Sequence, residues 1–216
     1  ILKNMFDEIY FCGGQSSVQE SFFKKEYETY ESQILPIQII LEFIRKSKKK
    51  IKFLYSSSSE IFGNYSKKKL RETDEKKPVS PYALAKLAGY EIVKSYREMF
   101  NLSVFSIIPF NHESPLRGDS YVIKKIVSGA DKIKLGKINK IVLGNINIKR
   151  DWGWAPEYMQ GFYKAMKSQT VNDYIIATGK TTSLKEIIKM VFKKKNLNWK
   201  KHIGYSKKNF RKYDII

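Results

Sequence analysis

The chain has 216 residues, 42% hydrophobic and 14% aromatic, which excludes a disordered segment and allows a substantial core. Its one cysteine excludes an internal disulfide framework, and one cysteine with two histidines is too little for a metal cluster, so no metal is expected. A net charge of +20 would suit a polyanion, but the lysines are spread along every segment, so we expect a lysine-rich composition and no nucleic-acid partner.

The first predicted strand is EIYFC, residues 8–12, and it ends in the glycine pair Gly13-Gly14. Glycine permits a tight turn, and the polar residues 15–17 follow it, as in a parallel strand that delivers its backbone to a ligand. The apolar neighbours of Cys12 predict a buried structural thiol.

The following elements alternate between helix and strand. In chain order they are a mostly helical segment over 21–48, the strand KFLYS over 52–56, the polar run SSSSE over 56–60, a helix from Ser80 to about Asn101, and the strand SVFSIIPF over 103–110. Within the first helical segment, Pro36 must start or kink a helix. This order predicts a parallel, doubly wound α/β sheet.

Three polar runs follow predicted strands: GGQSS at 13–17, SSSSE at 56–60 and NHESPLRG at 111–118. Because ligands bind beyond the carboxyl ends of the strands in such sheets, we expect all three runs to open onto one crevice.

The second half of the chain has shorter elements and is predicted to form a smaller mixed α/β lobe. Its expected elements are a helix over about 121–132, a strand over 141–143, a helix over about 156–167, a strand over 174–177 and a helix over about 183–195. Ser183 and Glu186 match a capping box at the start of the last helix. We therefore expect one domain over residues 1–118 and a substrate lobe over residues 119–216.

The sequence SPYALAK, residues 80–86, places a tyrosine and a lysine on one face of a helix start. Ser80 is a good N-cap and Pro81 suits the first helical position, so Tyr82 and Lys86 lie one turn apart. An ammonium beside a phenol favours the phenolate and lowers its pKa from about 10, which makes the tyrosine usable as a base. Alone, the pair is also compatible with an ordinary surface contact.

Taken together, four motifs resemble the extended short-chain dehydrogenase/reductases, and within them the GDP-mannose 4,6-dehydratase family. They are Ser58-Ser59-Glu60, Tyr82-x-x-x-Lys86, FNHESPLRG at 110–118 and KRDWG at 149–153. The resemblance covers nearly the whole chain and implies a Rossmann-like fold, incomplete here. It also implies a dehydration that is redox-neutral, because a hydride leaves C4 of the sugar and returns at C6.

The resemblance assigns the catalytic roles to four residues. Tyr82 would be the base at C4, with Lys86 as its electrostatic partner. Ser58 stands in place of the family's threonine and would hydrogen-bond the substrate near C4. Glu60 would remove the C5 proton and protonate the leaving hydroxide, and it separates an elimination from simpler oxidoreductions. The alternative for Glu60, which its neighbours disfavour, is a solvated loop carboxylate.

NADP is the implied cofactor, with Arg117 suited to its extra phosphate. The implied cofactor contacts are Cys12, Gly13, Gly14, Gln15, Ser16, Tyr27, Lys86, His112 and Arg117. A GDP-sugar is the implied substrate, and its implied contacts are Ser59, Asn111, Lys125 and Arg150, the last beside the diphosphate. A histidine after a strand is otherwise commonly structural, and we expect Asp151 and Trp152 only to hold their loop.

The chain departs from the family at both ends. It begins at Ile1 rather than a methionine and contains no Gly-rich phosphate-binding turn, and the family's final segment is missing after Ile216. We therefore expect a fragment that is inactive as it stands and, when complete, a homodimer or homotetramer. Without a secretory signal or a long apolar run, a cytoplasmic protein with no membrane partner is expected.

Two other functions remain open from the residues. A nucleotide-sugar 4-epimerase or 4-ketoreductase of the same family would need Tyr82 and Lys86 but not Glu60. A non-catalytic relic that binds a nucleotide or a nucleic acid would instead use the basic surface.

Overall fold

A computed structural model describes residues 6–47, 49–64 and 69–206. The chain divides into two compact units. The first comprises Ile1–Phe110 and Glu157–Ile176, and the second comprises Asn111–Pro156 and Ala177–Ile216.

The secondary structure alternates between strands and helices through most of the chain. In chain order the elements are β1 (Glu8–Phe11), α1 (Glu26–Lys46), β2 (Lys52–Ser56), α2 (Pro81–Phe100), β3 (Val104–Pro109), β4 (Asn111–Glu113), α3 (Val122–Lys134), β5 (Ile141–Leu143), β6 (Lys149–Trp154), α4 (Ala155–Lys167), β7 (Tyr174–Ile176), β8 (Thr181–Ser183), α5 (Leu184–Lys194), α6 (Trp199–His202) and β9 (Ile203–Tyr205). Short 3-10 helices cover Glu20–Phe22 and Ser59–Phe62. In the described ranges, no helix combines the length and apolarity needed to cross a membrane.

The first unit is built on a four-stranded parallel sheet in the order β1-β2-β3-β7. Successive side chains of a strand point to opposite faces, and β2 shows this alternation. Phe53 and Tyr55 belong to the core that includes α1 and α2. Leu54 belongs instead to the core that includes Phe162 and Met166 of α4. With helices on both faces, the predicted doubly wound α/β fold is confirmed.

The observed division of the chain differs from the predicted boundary after residue 118. The segment 157–176 belongs to the first unit, because β7 forms the parallel neighbour of β3 and α4 covers the face that carries Phe105. The first unit also ends earlier than predicted, at Phe110, because Asn111–Glu113 pairs with β6 as a separate strand.

The longer predicted elements are present, with shifted ends. Pro36 neither starts nor ends a helix, since α1 continues through it from Glu26 to Lys46. Proline removes one hydrogen bond of the helix, but Ile37 and, one turn further on, Leu41 are fully buried and hold the helix on the sheet. The short strands β4, β6 and β8 carry no alternating apolar pattern and were not predicted.

The second unit contains two small sheets, β4-β6-β8 and β5-β9. Its core joins α3 and α5 to β5, with Ile126, Ile188 and Phe192 almost fully buried. The capping box of Ser183 and Glu186 at the start of α5 is present as predicted.

Asp151 and Trp152 lie in strand β6, where the sequence predicted a loop, and both hydrogen-bond the segment around β8. The buried Asp151 carboxylate accepts hydrogen bonds from the Thr178 N–H at 3.0 Å and the Gly179 N–H at 2.7 Å. The Trp152 indole donates to the Thr182 carbonyl at 3.2 Å. Both residues therefore have structural partners within the second unit.

A buried ion pair ties α2 to two strands of the first unit. The Arg97 guanidinium donates to both carboxylate oxygens of Asp173 at 2.8 and 2.7 Å, and their side chains are only 19% and 9% exposed. Asp173 also accepts the N–H of Ser106 in β3 at 2.7 Å. Since Asp173 directly precedes β7, this carboxylate fixes α2, β3 and β7 together.

We expect Asp173→Ala to lower the free energy of unfolding by about 3 kcal/mol, because it leaves the Arg97 charge buried without its partner. Urea unfolding of the chain measures this loss. The control is Glu98→Ala, which breaks an exposed 4.0 Å pair with Lys94 on the same helix and should change the free energy by less than about 0.5 kcal/mol. Equal losses in both variants would contradict a clamping role for Asp173.

Candidate active site

Two of the three predicted polar runs lie side by side at one edge of the sheet in the first unit. Strands β1 and β2 are parallel neighbours, with Phe11 opposite Tyr55, so the turn after Phe11 and the run after Ser56 follow adjacent carboxyl ends. The third run begins at Asn111, in the second unit, and its place in the same crevice stays a prediction.

The start of α2 is formed as the sequence predicts. Ser80 is the N-cap, and its side chain accepts the N–H of Ala83 at 3.0 Å, while Pro81 occupies the first turn. Tyr82 and Lys86 are 9% and 5% exposed. The pair is therefore buried, and the alternative of an ordinary surface contact is excluded.

The Lys86 ammonium lies between the sheet and the first turn of α2. Its Nζ donates to the carbonyl of Ser56 at 2.8 Å, and it lies 5.1 Å from the ring centre of Tyr55 and 5.9 Å from that of Tyr82. Burial lowers the pKa of Lys86 to about 8, an effect that the neighbouring Cys12 partly offsets. Lys86 therefore remains mostly charged at neutral pH but sits close to its titration point.

Tyr55 in β2 and Ser57 just after it hold the backbone of α2 at Lys86. Neither was predicted as a site residue. The hydroxyls of Ser57 and Tyr55 both donate to the Lys86 carbonyl, at 3.4 and 3.5 Å. The close approach depends on Gly89, where an added Cβ would lie 2.6 Å from the Tyr55 Oη. The only sequence signal for this role of Tyr55 is its inward-facing position in the predicted strand.

Ser58 and Glu60 share one short helical turn. Ser58 is the N-cap of the 3-10 helix Ser59–Phe62, and its Oγ accepts the Glu60 N–H at 3.2 Å. This bond uses a lone pair, so the hydroxyl hydrogen of Ser58 can be donated to another group. Glu60 and Ser59 are half-buried, and this short helix packs against α2. The carboxylate thus belongs to a packed turn rather than to a fully solvated loop.

The turn after β1 contains one correction. Cys12 is exposed, not buried as predicted, because β1 ends at Phe11 and Cys12 lies beyond the sheet. Partial desolvation raises the pKa of its thiol, and the Lys86 charge partly offsets this shift. Gly13 and Ser16, which follow Cys12 in this turn, are exposed as well.

Gly14 adopts a φ of +106°, a conformation that favours glycine. An added Cβ would lie 2.4 Å from the Gln33 amide nitrogen, so the turn packs directly on α1. Gln15 is buried, and Tyr27, in the first turn of α1, is 78% exposed. The cofactor contacts assigned to this turn and to Tyr27 stay predictions.

The remaining predicted site residues lie in the second unit. Asn111 and His112 are half-buried in β4, opposite Trp152 and Gly153 of β6. Lys125 is exposed and its Nζ donates to the Val142 carbonyl at 2.8 Å. Their ligand contacts stay predictions.

The two predicted phosphate-binding arginines also have partners in the second unit. Arg117 Nε lies 3.6 Å from the Glu113 carboxylate, and its guanidinium carbon lies 3.7 Å from the ring centre of Tyr121. Burial raises the pKa of Glu113, and Arg117 opposes that shift. Arg150 Nη1 donates to the Lys149 carbonyl at 2.8 Å. A phosphate at Arg117 would have to share the guanidinium with Glu113.

Known proteins similar to this chain are GDP-mannose 4,6 dehydratases. The enzyme of that name from Dictyostelium discoideum is 37% identical over 214 residues, which cover 95% of this chain and 60% of the relative. The Drosophila melanogaster enzyme is 38% identical, with 89% and 50% covered. The chain thus spans 50 to 60% of the length of these relatives.

Solved structures share the fold at lower sequence identity. A structure described as RMD from Pseudomonas aeruginosa complexed with NADPH has a TM-score of 0.87 and 22% identity, covering 94% of this chain and 70% of that chain. A dTDP-glucose 4,6-dehydratase from Bacillus anthracis in complex with NAD has a TM-score of 0.80 and 19% identity, covering 93% and 60%. The doubly wound sheet is therefore of the Rossmann type. Since the family model described as GDP-mannose 4,6 dehydratase matches residues 1–214, the chain belongs to the GDP-mannose 4,6 dehydratase family.

Proposed function

We propose that this chain carries the catalytic residues of a GDP-mannose 4,6-dehydratase, a hydro-lyase that converts GDP-mannose to GDP-4-keto-6-deoxymannose with NADP. The observation that supports it best is the buried pair of Tyr82 and Lys86 next to the packed turn that carries Glu60. We expect the complete protein to act in the cytoplasm and to supply GDP-fucose biosynthesis.

Tyr82 is proposed as the base that takes the proton of the C4 hydroxyl. A phenol is a weak base at neutral pH, and the Lys86 ammonium favours its ionised form by charge attraction. Because Lys86 is held by the Ser56 carbonyl, its charge stays at a fixed position when the phenol loses its proton.

Ser58 is proposed to orient the sugar near C4. Its lone pair already accepts the Glu60 N–H, so its free hydroxyl hydrogen is available to a substrate oxygen. The same bond fixes the backbone of Glu60. One short turn therefore orients both the sugar, through Ser58, and the proposed second base, Glu60.

Glu60 is proposed as the second acid and base. Oxidation at C4 acidifies the C5 proton, which the carboxylate would remove and then pass to the hydroxide that leaves C6 as water. When hydride returns to C6, C5 regains a proton, and the proton taken up by Tyr82 balances it. This step distinguishes the dehydratase from an epimerase or a 4-ketoreductase, which has no elimination to catalyse.

The nicotinamide cofactor would supply hydride acceptance at C4 and hydride return at C6. The hydrogen-bond donors of the first unit fit part of such a cofactor. The exposed turn of Cys12, Gly13 and Ser16 offers backbone groups at the end of β1. The neighbouring strand β2 ends at Ser56, which holds Lys86, and the Lys86 ammonium suits a ribose hydroxyl. Preference for NADP over NAD rests on Arg117, and His112 would contact the same cofactor. Asn111, Ser59, Lys125 and Arg150 would bind the GDP-sugar.

The test is an incubation of a complete protein, with the family's terminal segments restored, with GDP-mannose and NADP+. We expect a 4-keto-6-deoxy sugar without net NADPH. Accumulation of NADPH, or a sugar epimerised at C4, would contradict the dehydratase and favour the sibling reactions.

In that complete protein, Glu60→Gln should lower turnover by about a hundredfold or more, because an amide cannot exchange the C5 proton. Single-turnover absorbance at 340 nm should still rise, since hydride transfer from C4 to NADP+ does not use Glu60. The matched control is Tyr82→Phe, which should abolish both the absorbance change and the product. Full turnover by Glu60→Gln would contradict the proposed role of the Glu60 carboxylate.

The buried charge of Lys86 can be tested in the 216-residue chain itself. Its pKa is about 8 when folded and about 10.5 when unfolded, so the folded state binds fewer protons between these values. The penalty for burying the charge is fully present below about pH 8 and disappears as the pH rises to about 10.5. The stability of the wild type should therefore rise over this range relative to Lys86→Met, by on the order of 3 kcal/mol.

Urea unfolding at about pH 7 and at about pH 10.5 measures this change for both proteins. The control is Lys94→Met, which removes a lysine of an exposed ion pair on the same helix. Its free energy of unfolding, relative to the wild type, should change far less with pH. If the difference in free energy of unfolding between wild type and Lys86→Met does not vary with pH, Lys86 is not a buried cation.

We further propose that α1 and α2 form the interface with a second copy of the chain. These two helices pack together and carry the exposed apolar side chains Leu35, Ile39 and Leu84. Ile39 is 61% exposed in the single chain, and a dimer formed through these helices would bury it.

We expect Ile39→Glu to weaken self-association at least about tenfold, because it places a carboxylate in an apolar contact. Analytical ultracentrifugation over a concentration series measures the dissociation constant. Met190→Glu makes the same charge change at an exposed site of α5 and should leave association unaltered. An unchanged constant for Ile39→Glu would exclude this helix pair as the interface.

A further inference from the structure

A buried polar network runs from α1 through the turn after β1 to the start of α2. Its first member is Gln33 of α1, which is fully buried and donates from Nε2 to the Gln15 carbonyl at 2.8 Å. The N–H of Gln15 donates to the Ser32 hydroxyl at 3.0 Å. Helix α1 thus holds the backbone of Gln15 on both sides, and Gly14 permits the close approach.

The side chain of Gln15 continues the network towards Ser17. Its Nε2 donates to the Ser17 carbonyl at 2.9 Å, and its Oε1 accepts the Ser17 N–H. Both backbone groups and both side-chain groups of Gln15 are therefore used inside the protein. Gln15 was predicted as a cofactor contact, but this bonding suits a brace that shapes the turn.

Ser21 connects the turn to the tyrosine. The Ser21 N–H donates to the Ser17 carbonyl at 3.1 Å, and the Ser21 hydroxyl donates to the Val18 carbonyl at 2.7 Å. Its remaining lone pairs face α2, where its Oγ accepts the N–H of Tyr82 at 3.2 Å. Ser21 is fully buried, so water cannot replace it in these bonds.

The N–H of Tyr82 has no acceptor within its own helix. The first turn of a helix leaves its N–H groups without internal partners. Pro81 has no N–H, and Ser80 accepts from Ala83 through its side chain and from Leu84 through its carbonyl. Ser21, 61 residues away in sequence, supplies the acceptor for Tyr82.

We propose that Ser21 is a positioning residue for Tyr82, and that Gln33 and Gln15 anchor it. The network fixes the backbone of Tyr82 relative to the turn after β1 within the first unit. The inference rests on the proposed function, because the catalytic importance of this position depends on Tyr82 acting as the base. Loss of the Ser21 hydroxyl removes this acceptor from the Tyr82 N–H and allows the start of α2 to move.

The first measurement uses the 216-residue chain and needs neither cofactor nor substrate. Ser21→Ala should raise the amide exchange rate of Tyr82 at least about tenfold, with little effect on amides of β3. Ser95→Ala, at a half-buried position further along α2, is the matched control and should not change Tyr82 exchange. Unchanged exchange at Tyr82 in Ser21→Ala overturns the proposal.

A second variant tests the far end of the network. Gln33→Leu keeps a side chain of similar size but removes the donor to Gln15, and it should also speed exchange at Tyr82. The control is Gln38→Leu, at an exposed position of the same helix. If Gln33→Leu changes Tyr82 exchange no more than Gln38→Leu does, Gln33 is not an anchor and that part of the proposal fails.

The second measurement uses the complete enzyme with GDP-mannose and NADP+. Displacement of a base by a fraction of an ångström lowers the chemical rate, so Ser21→Ala should reduce kcat by about tenfold to a hundredfold with KM nearly unchanged. An unaltered kcat overturns the positioning role. If the complete wild-type enzyme makes no keto sugar, the proposed function fails, while the exchange measurement still decides whether Ser21 fixes Tyr82.

Discussion

The structure of the first unit depends on how the Lys86 ammonium is buried. A charge removed from water costs several kcal/mol unless fixed dipoles compensate it. Here the Ser56 carbonyl at 2.8 Å and the ring of Tyr55 at 5.1 Å supply part of that compensation. Both belong to β2, so α2 has to lie close to the carboxyl end of this strand. Gly89 is the residue that allows this, because any side chain there would collide with Tyr55.

Local signals were sufficient to predict much of the fold and one corner of the site. The N-cap Ser80, the following Pro81 and the helical spacing of Tyr82 and Lys86 are all properties of a short stretch of sequence. The buried strands were predictable for the same reason, since their apolar runs are continuous. The short strands β4, β6 and β8 could not be predicted, because residues such as Asn111–Glu113 form a strand only through pairing with β6.

The residues that hydrogen-bond the backbone of Tyr82 and Lys86 were missed because their partners are distant in sequence. Ser21 contacts Tyr82 across 61 residues, and Tyr55 contacts Lys86 across 31. A serine in a short 3-10 helix and a tyrosine in a strand are common in any sequence, and neither forms a motif. Cys12 shows the opposite error. Its apolar neighbours predicted burial, but they belong to the strand, and the strand stops one residue before it.

The ammonium of Lys86 can favour a phenolate at Tyr82 only while it carries its charge. Burial acts against this by lowering the pKa of Lys86 to about 8. The carbonyl of Ser56 therefore has a second effect besides holding the side chain in place. By accepting a hydrogen bond from the ammonium at 2.8 Å, it favours the charged form of Lys86, which the proposed role of Tyr82 requires.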